Sequence, residues 1–263
     1  MAAAGTPVVF IHGLWLHADS WDPWAGRFRE AGYEPSAPGW PGEGTIEETR
    51  QHPERVGGRG INEVVEHYAS HIATLGKPPV VVGHSFGGLI AQRLLAQGVA
   101  SAGVGIDPAP IKGVLFLPPS ALRVASIALR NPLNRGRAVS LTRAQFRYGF
   151  GNALTQAESD ELFERWTIAS PGRPLFEAAV ANFAPDSPAK VDTSNATRGP
   201  LLLTAGGEDH TVPAAITRQT HKLYEKSGAV TDVKEFPTRG HSLTIDSGWQ
   251  EVADAVLDWL GKQ

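Results

Sequence analysis

Short apolar runs recur along this chain, and each is followed by glycine or proline and then by a longer amphipathic segment. Runs rich in Val, Leu and Ile without polar alternation are typical of strands buried on both faces of a parallel sheet. The segments that predict such strands are 8–11, a weaker one at 33–36, 80–82, 104–106, 201–203 and 230–236.

Helical periodicity lies between these runs, at 61–75, 89–97, 214–227 and 250–260. Strands that alternate with helices favour βαβ units, because parallel neighbours need a crossover connection. The pattern therefore predicts an α/β fold with a mostly parallel sheet flanked by helices.

One long stretch, residues 116–198, breaks this rhythm because it contains no convincing buried strand. Helical patterns occur within it at 142–148 and 156–169, and prolines punctuate it. A loop of this length without secondary structure is uncommon in a compact domain, so we expect a helical insertion between two sheet strands. A second stretch, 37–60, is rich in glycine and proline and is expected to run irregularly over the surface.

Composition narrows the class of protein. Of the 263 residues, 41% are hydrophobic and 19% charged, which allows a sizeable core. The net charge of −3 and the scattered Lys and Arg argue against a nucleic-acid partner. The absence of cysteine excludes disulfides, thiolate metal sites and a cysteine nucleophile. No apolar run is long enough for a membrane span and the N-terminus lacks signal-peptide features, so we expect a cytoplasmic protein.

A serine flanked by glycines stands directly after the strand predicted at 80–82. The segment 83–87, GHSFG, fits the pattern G-x-S-x-G, and the helix predicted at 89–97 follows it. A sharp turn from strand to helix would hold the Ser85 hydroxyl above the sheet edge, close to the helix N-terminus. Ser85 is therefore the predicted nucleophile, and a simple helix cap is the alternative.

A serine nucleophile needs a base, and the base needs an acid to orient it. Asp209 follows the strand predicted at 201–203, and His241 follows the last predicted strand. The order Ser85, Asp209, His241 along the chain is the order expected when all three meet at one sheet edge. These three residues are the predicted catalytic triad.

Two other residues compete for these roles. Asp107 ends the strand predicted at 104–106 and is the alternative acid, while His210 adjoins Asp209 and is a weaker alternative base. Other histidines lie in loop or helix patterns that would not reach the sheet edge: His52, His67, His71 and His221.

Acyl transfer also requires hydrogen-bond donors for the oxyanion. The turn itself supplies the backbone N–H of Phe86. The loop after the first strand supplies the other donor, for which Leu14 N–H is the first choice and Trp15 N–H the second. His12 is expected to brace this loop.

Four motifs occur in order: HGLWLHADSWDPW, GHSFGG, GGEDHTVP and a C-terminal GHS. In this arrangement the chain resembles the α/β-hydrolase fold superfamily of the serine esterase type. It is similar to cofactor-free esterases and perhydrolases and to the plant esterase and hydroxynitrile lyase branch. The resemblance covers nearly the whole chain and implies an α/β-hydrolase core at 1–115 and 199–263 with a helical cap at 116–198. It implies the triad named above and no cofactor or metal.

The predicted activity is hydrolysis of small to medium hydrophobic carboxylic esters through an acyl-enzyme, with acyl transfer to alcohols or amines as a side reaction. Aromatic residues of the first loop and the cap are expected to make the cleft apolar, with Trp15 and Trp166 as pocket residues. The alternatives are a C–C bond hydrolase, a perhydrolase, a hydroxynitrile lyase and a ligand receptor that turns over slowly. The expected partner is a small-molecule ester, and the sequence leaves the oligomeric state open.

Overall fold

The computed structural model describes residues 5–263, so the first four positions of the predicted core lie outside the described residues. A six-stranded sheet in the order β2-β1-β3-β4-β7-β8 forms the centre, and all neighbouring strands pair in parallel. Its strands are β1 (Thr6–Ile11), β2 (Tyr33–Ser36), β3 (Val80–His84), β4 (Ala102–Ile106), β7 (Leu201–Gly206) and β8 (Thr231–Phe236). The predicted mostly parallel sheet is confirmed.

Two further strands form a separate antiparallel pair, β5 (Ala138–Val139) and β6 (Ser170–Pro171). The α-helices are α1 (Asp22–Glu30), α2 (Ile46–Gln51), α3 (Ile61–Ala73), α4 (Phe86–Ala96), α5 (Pro119–Leu129), α6 (Arg143–Gly149), α7 (Gln156–Trp166), α8 (Arg173–Ala179), α9 (Ala214–Tyr224) and α10 (Trp249–Leu260). None of the helices within residues 5–263 is long and apolar enough to cross a membrane.

The four central strands, β1, β3, β4 and β7, are buried on both faces, which explains why they read as continuous apolar runs. The edge strands β2 and β8 are partly exposed. Along β1, Val9 and Ile11 belong to one hydrophobic core, and Val8 and Phe10 belong to the other. Helices therefore cover each face, and the carboxyl ends of the parallel strands meet at one edge, where loops can bring side chains together.

The segment between β4 and β7 folds into helices α5 to α8 together with the β5–β6 pair. The sequence predicted α6 and α7 there but did not resolve α5 or α8. The prediction that 37–60 is irregular throughout is wrong, because α2 lies within it. Thr45 and Glu48 form a reciprocal capping box at the start of α2, and such a cap stabilises even a short helix.

Candidate active site

Ser85 lies in a strained turn between β3 and α4. Its backbone has φ 55° and ψ −120°, a conformation that non-glycine residues rarely adopt. A Cβ at Gly83 would lie 2.0 Å from the Gly87 carbonyl oxygen, and a Cβ at Gly87 would lie 2.0 Å from the Ile11 carbonyl oxygen. The glycines at both positions are therefore required by the close approach of backbone segments.

His241 and Asp209 form a buried hydrogen-bonded pair. The His241 Nδ1 to Asp209 Oδ2 distance is 2.6 Å, and both side chains are fully buried. Asp209 Oδ1 accepts hydrogen bonds from the backbone N–H groups of Thr211 and Val212 at 2.6 and 2.8 Å. Burial would raise the pKa of Asp209, but the charge and hydrogen bonding of His241 outweigh it and lower that pKa. Asp209 is thus suited to orient the imidazole as a carboxylate.

The second ring nitrogen of His241 is left free. His241 Nε2 is buried and has no hydrogen-bond partner among the described residues, Ser85 included. The ring contacts Phe150, at 4.8 Å between centroids, and His84, at 4.5 Å. Burial and the neighbouring His241 keep the pKa of His84 well below its ordinary value, so His84 stays neutral. Catalytic hydrogen bonds often close only when substrate binds, and an unpartnered Nε2 is available for that role.

The loop after β1 lies directly against the nucleophile. A Cβ placed on Gly13 would lie 2.7 Å from the Cβ of Ser85 and 3.4 Å from its Oγ. In the described part of the chain, the backbone N–H groups of Leu14 and Phe86 donate to no other group. The Trp15 N–H is already occupied, since it donates to Ser170 Oγ at 2.6 Å. This distinction favours Leu14 over Trp15 as the second oxyanion donor.

An apolar cavity of about 190 Å³ opens above Ser85. On the core side it is lined by Leu14, Trp15, Ser85, Phe86, Ala109, Pro110, Thr211, Val212 and Ile216. The helical segment 116–198 supplies its other wall, with Leu117, Ala121, Leu122, Val124, Ala125, Leu129, Leu175, Ala178 and Ala179. Most of these side chains are aliphatic.

Of the aromatic residues of the first loop and the helical segment, Trp15 lines this cavity. Trp166 does not line the cavity; it ends α7, and its carbonyl accepts a hydrogen bond from His17 N–H at 3.1 Å. Trp21 stacks on Phe10, and Trp24 meets Phe10 edge to face, in the core on the other face of the sheet. The sequence could not separate these roles, because aromatic spacing is the same in a core and in a pocket.

The remaining histidines near the site have partners of their own. His12 Nε2 lies 3.0 Å from Glu43 Oε2 inside the protein. Burial disfavours charge on His12, yet the Glu43 carboxylate outweighs it and raises the pKa of His12. His210 Nδ1 contacts the Tyr148 carbonyl at 3.0 Å, away from Asp209. His12 therefore belongs to the support of the loop after β1.

Sequence reasoning missed two contributors to the site. The hydroxyl oxygen of Ser170, on β6, accepts a hydrogen bond from the Trp15 N–H, although 155 residues separate the two. The small residues Ala121, Ala125, Ala178 and Ala179 leave the space that forms the cavity. Nothing in the local sequence indicates the role of Ser170. The alanine-rich sequence of α5, in contrast, indicates a helix whose small side chains leave space beside it.

One group of side chains in the described chain has the composition of a metal site. The ligand atoms of Asp107, Asp209 and His241 lie within 4.8 Å of one another. The 2.6 Å between His241 Nδ1 and Asp209 Oδ2 is a hydrogen-bond length, and both atoms are used by that bond. This geometry fits a proton between the two residues better than a metal ion.

Comparisons with known proteins agree with this architecture. A sequence search found no match among curated proteins. Among solved structures, a monoacylglycerol lipase of Paleococcus ferrophilus superposes with a TM-score of 0.68 at 22% identity, covering 97% of this chain and 95% of that one. An extracellular alpha/beta-hydrolase of a Paenibacillus species gives 0.69 at 18% identity, with 96% and 98% covered. A methylesterase of Arabidopsis gives 0.64 at 14% identity, with 98% and 100% covered.

At these identities the structural likeness concerns the fold alone. The sequence itself is matched more directly, by the model of a family described as the alpha/beta hydrolase family. That match spans residues 8–255 and includes the turn at Ser85, the Asp209 loop and the His241 loop. The chain therefore belongs to the alpha/beta hydrolase family.

Proposed function

We propose that this hydrolase cleaves carboxylic esters with an apolar acyl or alcohol group, through an acyl-enzyme on Ser85. The observation that carries the proposal is the buried His241–Asp209 pair at 2.6 Å, at the same sheet edge as a serine in a strained turn. The same Ser-His-Asp arrangement recurs on several unrelated folds that perform acyl transfer.

The proposed reaction runs in two halves. His241 Nε2 takes the Ser85 hydroxyl proton as the serine oxygen attacks the ester carbonyl, and the N–H groups of Leu14 and Phe86 receive the oxyanion. The protonated imidazole, held by Asp209, then gives that proton to the departing alcohol. A water molecule attacks the acyl-enzyme with His241 again as base. The bond between the Ser85 oxygen and the acyl carbon breaks, His241 returns the proton to Ser85, and the carboxylic acid leaves.

The cavity lining supports an aliphatic substrate group. Apart from Ser85 and Thr211, the side chains that line it are apolar, and none carries a charge. On α5, the lining residues run from Ala121 to Leu129, about 12 Å along a helix axis. An extended alkyl chain that lies along α5 would bury its methylenes without leaving a polar group unpaired.

The same lining argues against a hydroxynitrile lyase. That reaction needs a cation near the nucleophile to receive the cyanide, and no lysine or arginine lines the described cavity. Ester hydrolysis needs no such group, because water is the only second substrate.

Labelling with an activity-based fluorophosphonate tests the mechanism directly. We expect one phosphonyl group per chain, attached to Ser85 and located by peptide mass spectrometry, because only a serine activated by His241 reacts rapidly. His241→Ala should slow the labelling at least a hundredfold, the usual contribution of a general base. Active protein that resists the reagent, or that carries it elsewhere, would refute the proposal.

A larger side chain at Ala125 should shorten the preferred acyl group. Ala125→Leu adds volume to the cavity wall on α5. We expect a tenfold or greater loss in kcat/KM for p-nitrophenyl octanoate and about wild-type values for the acetate, since each excluded methylene forfeits about 0.8 kcal/mol. The matched control is Ser126→Leu, an exposed position on the same helix outside the cavity. An equal loss for both esters would show that the acyl chain does not lie along α5.

A further inference from the structure

Asp107 is a buried carboxyl group that the proposed mechanism does not use. It follows β4 directly, it is fully buried, and its backbone has φ 43°. Its backbone N–H donates to the Thr204 carbonyl at 3.1 Å, and its Oδ1 accepts from the Gly206 N–H at 2.9 Å. Both contacts aim the side chain along the sheet edge toward the Asp209 loop.

The second carboxyl oxygen of Asp107 lacks a hydrogen-bond donor, and other titratable side chains lie close to this carboxyl group. Among the described residues, Asp107 Oδ2 has no hydrogen-bond partner. Ligand atoms of Asp107, Asp209 and His241 lie within 4.8 Å of one another, and Asp246 adds another nearby carboxylate. The ring of His84, which stays neutral, lies 4.5 Å from the His241 ring between centroids. Two buried carboxyl groups at this separation cannot both carry a negative charge, so they share one proton.

The surroundings decide which carboxyl group keeps that proton. Asp209 accepts from Thr211, Val212 and His241, all of which favour its charged form. Asp107 has only the Gly206 N–H. Burial, reinforced by the charges of Asp209 and Asp246, raises the pKa of Asp107 well above its ordinary value. The proton therefore belongs to Asp107.

We propose that Asp107 is a positioning residue that remains protonated at neutral pH and donates its O–H to Asp209. This inference rests on the proposed function, in which Asp209 orients His241. The donated hydrogen bond would disperse the negative charge of Asp209 and fix its carboxylate plane. The enzyme would then stay active to lower pH than a variant without this hydrogen bond.

A pair of substitutions separates a protonated from an ionised Asp107. Asp107→Asn keeps a donor toward Asp209 and an acceptor for Gly206 N–H without changing charge. We expect it to keep kcat/KM within a few-fold and to leave the midpoint of the acid limb of the pH profile unchanged. Asp107→Ala removes the donor, so the midpoint should rise by about one pH unit, which corresponds to the net contribution of one hydrogen bond. Thr204→Val, which removes a buried hydroxyl at the same sheet edge, is the matched control and should leave the midpoint in place.

The opposite results would overturn the proposal. If Asp107 were ionised, both variants would remove a negative charge beside His241, and both midpoints would fall. An unchanged midpoint in Asp107→Ala would show that no hydrogen bond reaches Asp209.

Two further measurements do not depend on turnover. The His241 ring titration, followed by NMR in the Ser85→Ala background, should show the same shifts even if the proposed esterase activity is absent. If Asp107→Ala does not fold, infrared spectroscopy decides the question. A protonated carboxylic acid C=O stretch at neutral pH should appear in the native protein and disappear in Asp107→Asn, and its absence from the native protein would refute the proposal.

Discussion

Replacement of Ser85 by alanine is expected to lower kcat/KM for p-nitrophenyl butyrate by roughly ten-thousandfold to a millionfold. The variant retains the cavity and the His241–Asp209 pair but lacks the atom that forms the acyl-enzyme. Direct attack by water, aided by the Leu14 and Phe86 N–H groups, would account for the remaining rate.

The control for Ser85→Ala is a serine outside the site, whose replacement should not change the rate. Ser101 lies at the opposite end of the sheet, where its hydroxyl donates to the Pro79 carbonyl at 3.0 Å. Ser101→Ala should retain the wild-type rate. Circular dichroism on both variants would show that the fold persists. Wild-type turnover by Ser85→Ala would eliminate the acyl-enzyme mechanism.

The second large effect is expected from Asp209→Asn, which should reduce kcat by about ten-thousandfold. Two backbone N–H groups, of Thr211 and Val212, donate to one oxygen of Asp209. The asparagine carbonyl must take that position, so its NH₂ group would face His241 Nδ1. His241 would then carry its proton on Nε2 and could not accept the proton of Ser85.

Asp107→Asn serves as the control for this substitution, because it changes the neighbouring carboxyl group in the same way. We expect the two variants to differ by at least a thousandfold in kcat, since only Asp209 contacts His241 directly. Loss of turnover in Asp107→Asn with retention in Asp209→Asn would assign the acid to Asp107. The measurement is kcat for both variants at several pH values.

The centre of the sheet could be predicted from sequence because its strands are buried on both faces. Such strands need only apolar residues, and the runs at 8–11, 80–82 and 201–203 lie within β1, β3 and β7. Strand ends were harder to predict: β3 continues through Gly83 and His84 to the turn. Hydrogen bonding to neighbouring strands extends it there, and that pairing is not encoded in local hydrophobicity.

The segment between β4 and β7 was less predictable because its helices depend on tertiary contacts. α5 and α8 pack against each other above Ser85, and their small residues leave the cavity open. An amphipathic pattern indicates that a helix buries one face, but it does not specify the partner. The mistaken assignment of Trp166 to the pocket has the same origin.

The sequence by itself determined the fold class, the glycine-flanked serine and the order of the candidate acid and base, because these depend on local chain geometry and on the ends of parallel strands. Only the tertiary structure decided between groups that the sequence left equivalent. In the structure, Asp209 rather than Asp107 hydrogen-bonds to His241. The Trp15 N–H donates to Ser170, whereas the Leu14 N–H stays available to an oxyanion. The physical reason is that a hydrogen bond depends on distances of a few tenths of an ångström between groups far apart in the chain.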